Sequence, residues 1–220
     1  MSKLEETIKD FHDTKKRYDK LMDDIKIDSE GRVAEVANEI VFILMREDIC
    51  SLIMDDLGTE EIPYRVTHND TKVNNVMMNK DTGDFLAVID LDTVMPGSML
   101  FDYGDGIRST ACTAKEDEHD LSKVKMDLDL FKAYTDGYLS EMSESLTYEE
   151  LSLMAESVRI MTLELAIRFL NDYINGDTYF KTDYDKQNLY RTRAQIALVK
   201  DIESKLDLSL IHISEPTRRS

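Results

Sequence analysis

The sequence predicts an α+β fold, mostly α, with a small β-hairpin at its centre. Three observations carry this expectation. Gly and Pro are scarce, at 8 and 3 of 220 residues, which leaves little turn chemistry for an all-β chain. Apolar residues recur at helical spacing over long stretches on both sides of the middle. Between those stretches, the apolar runs 76–78 and 85–89 flank the polar bend Asn79-Lys80-Asp81-Thr82-Gly83-Asp84, a hairpin pattern. Hydrophobic residues make up 42%, enough to bury a core, and the length suits one domain or one lobe of a larger enzyme.

Taken in order, residues 3–27 read as a first helix, with Ile8, Phe11, Tyr18 and Leu21 near one face. Residues 33–57 read as a second, and Gly58 is a plausible stop. Tyr64-Arg65-Val66-Thr67 is strand-like and precedes the hairpin. After Pro96-Gly97 the chain returns to helix, at 121–142, 148–174 and 185–206. Thr147 before Tyr148-Glu149-Glu150 is a good N-cap with acids in the first turn, and Asn175-Gly176 ends the same helix. The helical pattern stops near Asp207. From Ser209 the string SLIHISEPTRRS resembles the read-through of a sequencing adapter, so 1–208 is taken as the folded unit, 209–220 as an appended tail, and His212 is set aside.

The formal charge is −18, with the acids spread along the chain. Such a surface repels phosphate backbones, so nucleic acid is not expected as a partner, and most of the acids read as a solvated surface. Cys50 and Cys112 have no metal-ligand spacing and read as reduced thiols. The start has no apolar signal region, and the longest apolar run, Ile-Val-Phe-Ile-Leu-Met at 40–45, is far too short for a membrane span. A soluble, cytoplasmic protein with no membrane partner is expected.

Chemistry concentrates around the hairpin. His68-Asn69-Asp70-Thr71-Lys72-Val73-Asn74-Asn75 precedes it, Ile89-Asp90-Leu91-Asp92 ends it, and Phe101-Asp102-Tyr103-Gly104-Asp105 follows. A strand leaving the first loop and a strand returning bring Asp70, Asn75 and Asp90 to one end of the ribbon. Carboxylate and amide oxygens at that density suit Mg²⁺ together with phosphate oxygens, and a further carboxylate can accept a hydroxyl proton. The spacing H-x-D-x4-N followed by a later Asp is the phosphoryl-transfer template, and His68, Asp70, Asn75 and Asp90 fit it without a gap.

The stretch 66–108, VTHNDTKVNNVMMNKDTGDFLAVIDLDTVMPGSMLFDYGDGIR, resembles N-acetylhexosamine 1-kinases in the aminoglycoside phosphotransferase and choline kinase family. The similarity extends over about residues 5–207. General aminoglycoside kinases show H-G-D and I-D-W where this chain has His68-Asn69-Asp70 and Ile89-Asp90-Leu91. The resemblance implies a protein-kinase-like C-terminal catalytic lobe and ATP-dependent phosphorylation of a sugar hydroxyl, the anomeric one of an N-acetylhexosamine. It makes Asp70 the catalytic base, also touching the substrate. Asn75 and Asp90 become Mg²⁺ ligands on the ATP phosphates, with Asp90 at the substrate as well. His68 and Asp102 support the loop, Asp102 through backbone hydrogen bonds. Asp92 meets metal or sugar. Arg168 and Tyr179, in LELAIRFLNDYINGDTYF, become the sugar-binding candidates. An ion pair of Arg168 with Glu164 is the alternative for the first, and a core or loop aromatic for the second.

The resemblance also implies an N-terminal ATP-binding lobe, with a Gly-rich loop and a phosphate-holding Lys. The 67 residues before His68 read as helices instead, so that lobe is expected to be absent and this chain to have little activity alone. Rival readings are a kinase for an aminoglycoside or amino alcohol, a glycosyltransferase using Asp90-Leu91-Asp92, and a non-catalytic helical binding module.

Overall fold

The computed structural model describes residues 4–214. The molecule is mostly helical: α1 (Thr14–Ile27), α2 (Ala37–Leu44), α3 (Met99–Thr110), α4 (Leu128–Met142), α5 (Tyr148–Ile174) and α6 (Gln187–Ser214). Its β structure is two antiparallel pairs. β1 (Arg65–Thr67) pairs with β4 (Met95–Gly97), and β2 (Val76–Met78) pairs with β3 (Phe85–Val88). The second pair is the expected hairpin, with Val76 opposite Val88 and a register irregularity at Met77/Met78. Both of its faces leave apolar side chains in solvent, among them Met78, Phe85 and Leu86.

α5 is the spine, packed along α6 on one side and α3 on another, with α1 also against it. Leu163, Ala166, Ile167 and Leu170 are fully buried, as expected of a helix apolar on most sides. Its start is a capping box: the Thr147 hydroxyl accepts from the Glu150 N–H, and the Glu150 carboxylate accepts from the Thr147 N–H. The bounds of α5 are those the sequence predicts.

Three buried acids on α5 hold irregular chain against it. Glu150 takes a two-pronged ion pair from Arg65 of β1, at 2.7 and 2.6 Å. Glu164 binds His12 and Thr14 at 2.9 and 2.7 Å. Asp172 accepts the backbone N–H groups of Thr178, Tyr179 and Phe180 and the Asn188 amide. The reading of the acids as a solvated surface therefore fails at these positions. A carboxylate is stable in the interior only with such partners, and composition does not show partners.

Other boundaries shift. The helix expected over 3–27 starts at Thr14, because Asp13 caps it through the Lys16 N–H and Asp10 adopts a left-handed φ of 55°. The stretch 33–57 is helical only in part: α2 ends at Leu44, and the Arg46 guanidinium takes the Phe42 carbonyl. The stretch 121–142 begins as α4 at Leu128, where Asp127 accepts from Asp129 and Leu130. α3 was not expected as a helix. Its Gly104 and Gly106 weaken helical propensity, yet both are needed. A Cβ on Gly104 would lie 2.5 Å from the Ser157 carbonyl of α5, and one on Gly106 would collide with Tyr134. α6 runs past the expected end at residue 206, with Ser209 and Ile213 buried. Residues 215–220 and the side chain of His212 lie outside the described residues.

Candidate active site

The loop 68–75 leaves β1 and enters β2, and a dense hydrogen-bond set fixes its shape. Asn69 sits at a left-handed φ of 63°, which asparagine tolerates better than most residues. The Asp102 carboxylate, on the first turn of α3, accepts the His68 N–H at 2.9 Å and the Asn69 N–H at 2.7 Å. Burial pushes this carboxyl up, against the pull of those two N–H groups. The Thr71 hydroxyl donates to the Asp102 carbonyl at 2.6 Å.

The same loop is tied to the far end of the hairpin. The Ile89 N–H donates to the Asn75 carbonyl at 2.9 Å, extending the β2–β3 ladder by one pair. His68 Nε2 lies 3.0 Å from the Ile89 carbonyl, and its Nδ1 lies 3.3 Å from the Asp70 N–H. One ring nitrogen therefore donates and the other accepts, which selects the Nε2–H tautomer. The Thr93 hydroxyl donates to the His68 carbonyl, and the Asn69 amide donates to the Thr93 carbonyl. The segment carrying Asp70 and the segment carrying Asp90 are thus joined by backbone and side-chain bonds on both sides.

Within this frame the Asn75 amide Nδ2 donates to Asp70 twice, at 2.8 Å to its carbonyl and 2.9 Å to its carboxylate Oδ2. Its Oδ1 meets no donor among the described residues. Lys72, which the motif reasoning passed over, places its ammonium 2.7 Å from the same Oδ2. The signal was in the sequence, as a cation two positions after the expected base. Asp90 follows β3 at a left-handed φ of 63° and is exposed, and its carboxylate makes no hydrogen bond or ion pair among the described residues. Asp92 is exposed one residue beyond Leu91. Among the described residues no three His, Cys, Asp or Glu side chains cluster as a metal site. The two joined segments each carry an oxygen without a partner among the described residues, the Asn75 amide oxygen and the Asp90 carboxylate. That pair suits Mg²⁺ when phosphate oxygens and water complete the shell, since this ion keeps few protein ligands.

A known family now bears on the geometry. Residues 44–138 match the model of a phosphotransferase enzyme family. The matched segment spans the Asp70 loop, both strands of the hairpin, Asp90 and Asp102. It is the part of the chain similar to enzymes that move phosphoryl groups. It stops before α5, so His12, Glu164, Arg168 and Tyr179 lie outside it.

Arg168 and Tyr179 come together at a cavity of about 270 Å³ between α1, α5 and the loop after α5, with Arg17, Lys20, Asn171 and Phe180 beside them. The Arg168 guanidinium lies 5.3 Å from the Phe11 ring and 5.5 Å from the Phe180 ring, within cation–π reach. Its distance to Glu164 is 3.9 Å, long for an ion pair, because Glu164 already serves His12 and Thr14. Tyr179 is 72% exposed, so it is no core aromatic, and its ring meets Phe180 edge-on at 4.8 Å. Among the described residues neither makes a hydrogen bond or ion pair with Asp70. The link between the cavity and the loop runs through Glu164 and His12. His12 was missed by sequence reasoning because no motif surrounds it. Its role is visible only in what it touches.

No helix among the described residues is long and apolar enough to cross a membrane. Among the described residues the two sheets are two-stranded and antiparallel, unlike the parallel strand–helix alternation on which a glycosyltransferase reading of Asp90-Leu91-Asp92 rests.

Proposed function

We propose that this chain is the catalytic lobe of a small-molecule kinase of the matched family, transferring phosphate from ATP to a sugar hydroxyl, the anomeric one of an N-acetylhexosamine. The observation that carries the reading is the joined pair of segments: a loop carrying Asp70 and Asn75, bonded directly to the strand end that carries Asp90. Asn75 Nδ2 and the Lys72 ammonium both bind Oδ2 of Asp70. Its other oxygen is left to accept the proton of an attacking hydroxyl. Asn75 and Asp90 would hold Mg²⁺, which supplies charge neutralisation to the phosphates. His68 and Asp102 keep the loop in register, and the exposed Asp92 would meet metal or sugar.

The cavity at Arg168 and Tyr179 is the acceptor site in this reading. A planar guanidinium and aromatic faces suit a ring-shaped polyol with an acetamido group, and the lining cations Arg17, Lys20 and Arg168 outnumber the one carboxylate, Asp172, a balance that disfavours positively charged aminoglycosides and amino alcohols. The described residues contain no glycine-rich loop on a β-sheet, so we place the ATP-covering elements outside residues 4–214 and expect little turnover from this chain alone.

The test is transfer from labelled ATP to an acceptor panel, run on the chain and on its fusion to the ATP-binding lobe of a phosphotransferase of the matched family. The fusion should phosphorylate N-acetylhexosamines in preference to aminoglycosides or amino alcohols. Asp70→Asn should lower turnover about 10²–10⁴-fold with the circular dichroism unaltered. Turnover that survives Asp70→Asn would remove Asp70 as the base, and a fusion that transfers phosphate to no acceptor would favour a non-catalytic binding module.

A further inference from the structure

His12 precedes α1, is 7% exposed, and has both ring nitrogens bonded. Nδ1 lies 2.9 Å from a Glu164 carboxylate oxygen, and Nε2 lies 2.8 Å from the Asn69 carbonyl oxygen. With Glu164 ionised both partners are acceptors, so both nitrogens donate, and a ring that donates twice is an imidazolium. This differs from His68, where the Asp70 N–H supplies a donor to one nitrogen. The Asn69 carbonyl is the backbone group immediately before Asp70, and it belongs to a residue in the left-handed region. Asp102 holds the N–H groups of His68 and Asn69 from the other face.

We propose that His12 is a positioning residue: clamped as an imidazolium between Glu164 and the Asn69 carbonyl, it fixes the loop that carries Asp70, and loss of its proton releases that loop. The consequence for catalysis rests on the reading of Asp70 as the base, whereas the coupling of ring and loop does not.

The surroundings agree. Around the ring, α5 supplies Glu164 and, beyond it, the Arg168 cation, while α3 supplies the carboxylates of Asp102 and Asp105 within Coulombic reach. On its own segment Asp13 turns to Lys16, and Thr14 shares Glu164. The Phe11 and Phe101 rings, with centroids at 4.5 and 5.1 Å, cover two more sides and leave the ring 7% exposed at the edge of a cavity that Asn69 also lines. Burial alone would push the ring's pKa down; Glu164 and the Asn69 carbonyl outweigh it, and the result is raised. Burial likewise would raise Glu164, and His12 holds it below the ordinary carboxylate range instead. For a raised histidine the linkage sign is fixed. The ring's contribution is fully present below about pH 6.5, the ordinary value, and is lost as pH rises through the higher native value. The loop should therefore loosen on the alkaline side.

The experiment is a pH titration of the full chain by NMR, with ¹⁵N-labelled histidine and ¹³C-labelled backbone, from about pH 5.5 to 9.5, spanning the ordinary histidine range. Both His12 nitrogens should report imidazolium at neutral pH and titrate together above the ordinary value. The Asn69 carbonyl and Asp70 amide resonances should move with the same midpoint. Glu164→Gln should lower that midpoint by about one unit or more, and His12→Gln should abolish the pH step in the loop resonances. Two results would overturn the proposal: a neutral ring at neutral pH with the proton on Glu164, or loop resonances that stay flat across the His12 titration. The wild-type titration decides the matter even if a variant fails to fold. A loop step that persists alongside undiminished turnover in Asp70→Asn would leave this coupling standing and remove only the role of Asp70.

Discussion

Lys72 and His68 share one loop and serve it differently. His68 is a strut: its two nitrogens join the Ile89 carbonyl to the Asp70 N–H, and it needs no charge to do so. Lys72 brings charge. Its side chain is 40% exposed, and its ammonium lies against Oδ2 of Asp70. A half-exposed ion pair adds little to stability, so its value must be sought in chemistry, where a cation beside the acceptor hydroxyl and the transferred phosphate can stabilise charge. Lys72→Met keeps the stem and removes the charge. It should lower turnover of the active fusion about 10- to 100-fold with the thermal midpoint nearly unchanged. Unchanged turnover would reduce the pair to a surface contact.

α3 shows how a helix can hide in a sequence. Ser98 caps it through the Leu100 N–H, and Leu100, Tyr103 and Ile107 are fully buried along it. Its two glycines obscure that pattern. Gly104 is there because α3 and α5 approach backbone to backbone, with the Ser157 carbonyl oxygen 2.5 Å from where a Cβ would stand. That close approach sets where Asp102 sits, and Asp102 sets the Asp70 loop. Gly104→Ala should therefore cost about 1–3 kcal/mol, since an added methyl must push the helices apart. A urea midpoint that falls with unchanged m-value would show it. A neutral or stabilising result, as helix propensity alone predicts, would mean that α5 gives way.

The molecule as a whole is organised by α5 and its three buried acids. Each stands where an irregular segment must lie flat on the spine: β1 at Glu150, the chain before α1 at Glu164, the loop after α5 at Asp172. The Arg65–Glu150 pair is the clearest case, because the Glu150 side chain is 0% exposed while Arg65 is 22% exposed. Arg65→Ala leaves a buried carboxylate without its cation and should cost about 3–5 kcal/mol. Because the pair is screened from solvent, added salt should neither mimic nor relieve the loss. Denaturant melts at low and high salt check both points, and a salt-dependent loss would place the pair at the surface.

The motif H-x-D-x4-N, the hairpin and the Asp at its end were legible because each is local. Strand alternation and turn chemistry place residues 68–90 with no knowledge of the rest, and the cap and stop of α5 are likewise written within a few positions. The chain by itself thus determined its helix-rich class, the hairpin, and the residue types gathered beside it. Only the tertiary structure decided which acids are buried, that residues 99–110 are helical despite two glycines, that residues 4–13 are not, and that His12 reaches Asn69 across 57 positions. These depend on what lies opposite a residue after folding. A carboxylate or an imidazole looks the same in the sequence whether water or another side chain completes its bonds.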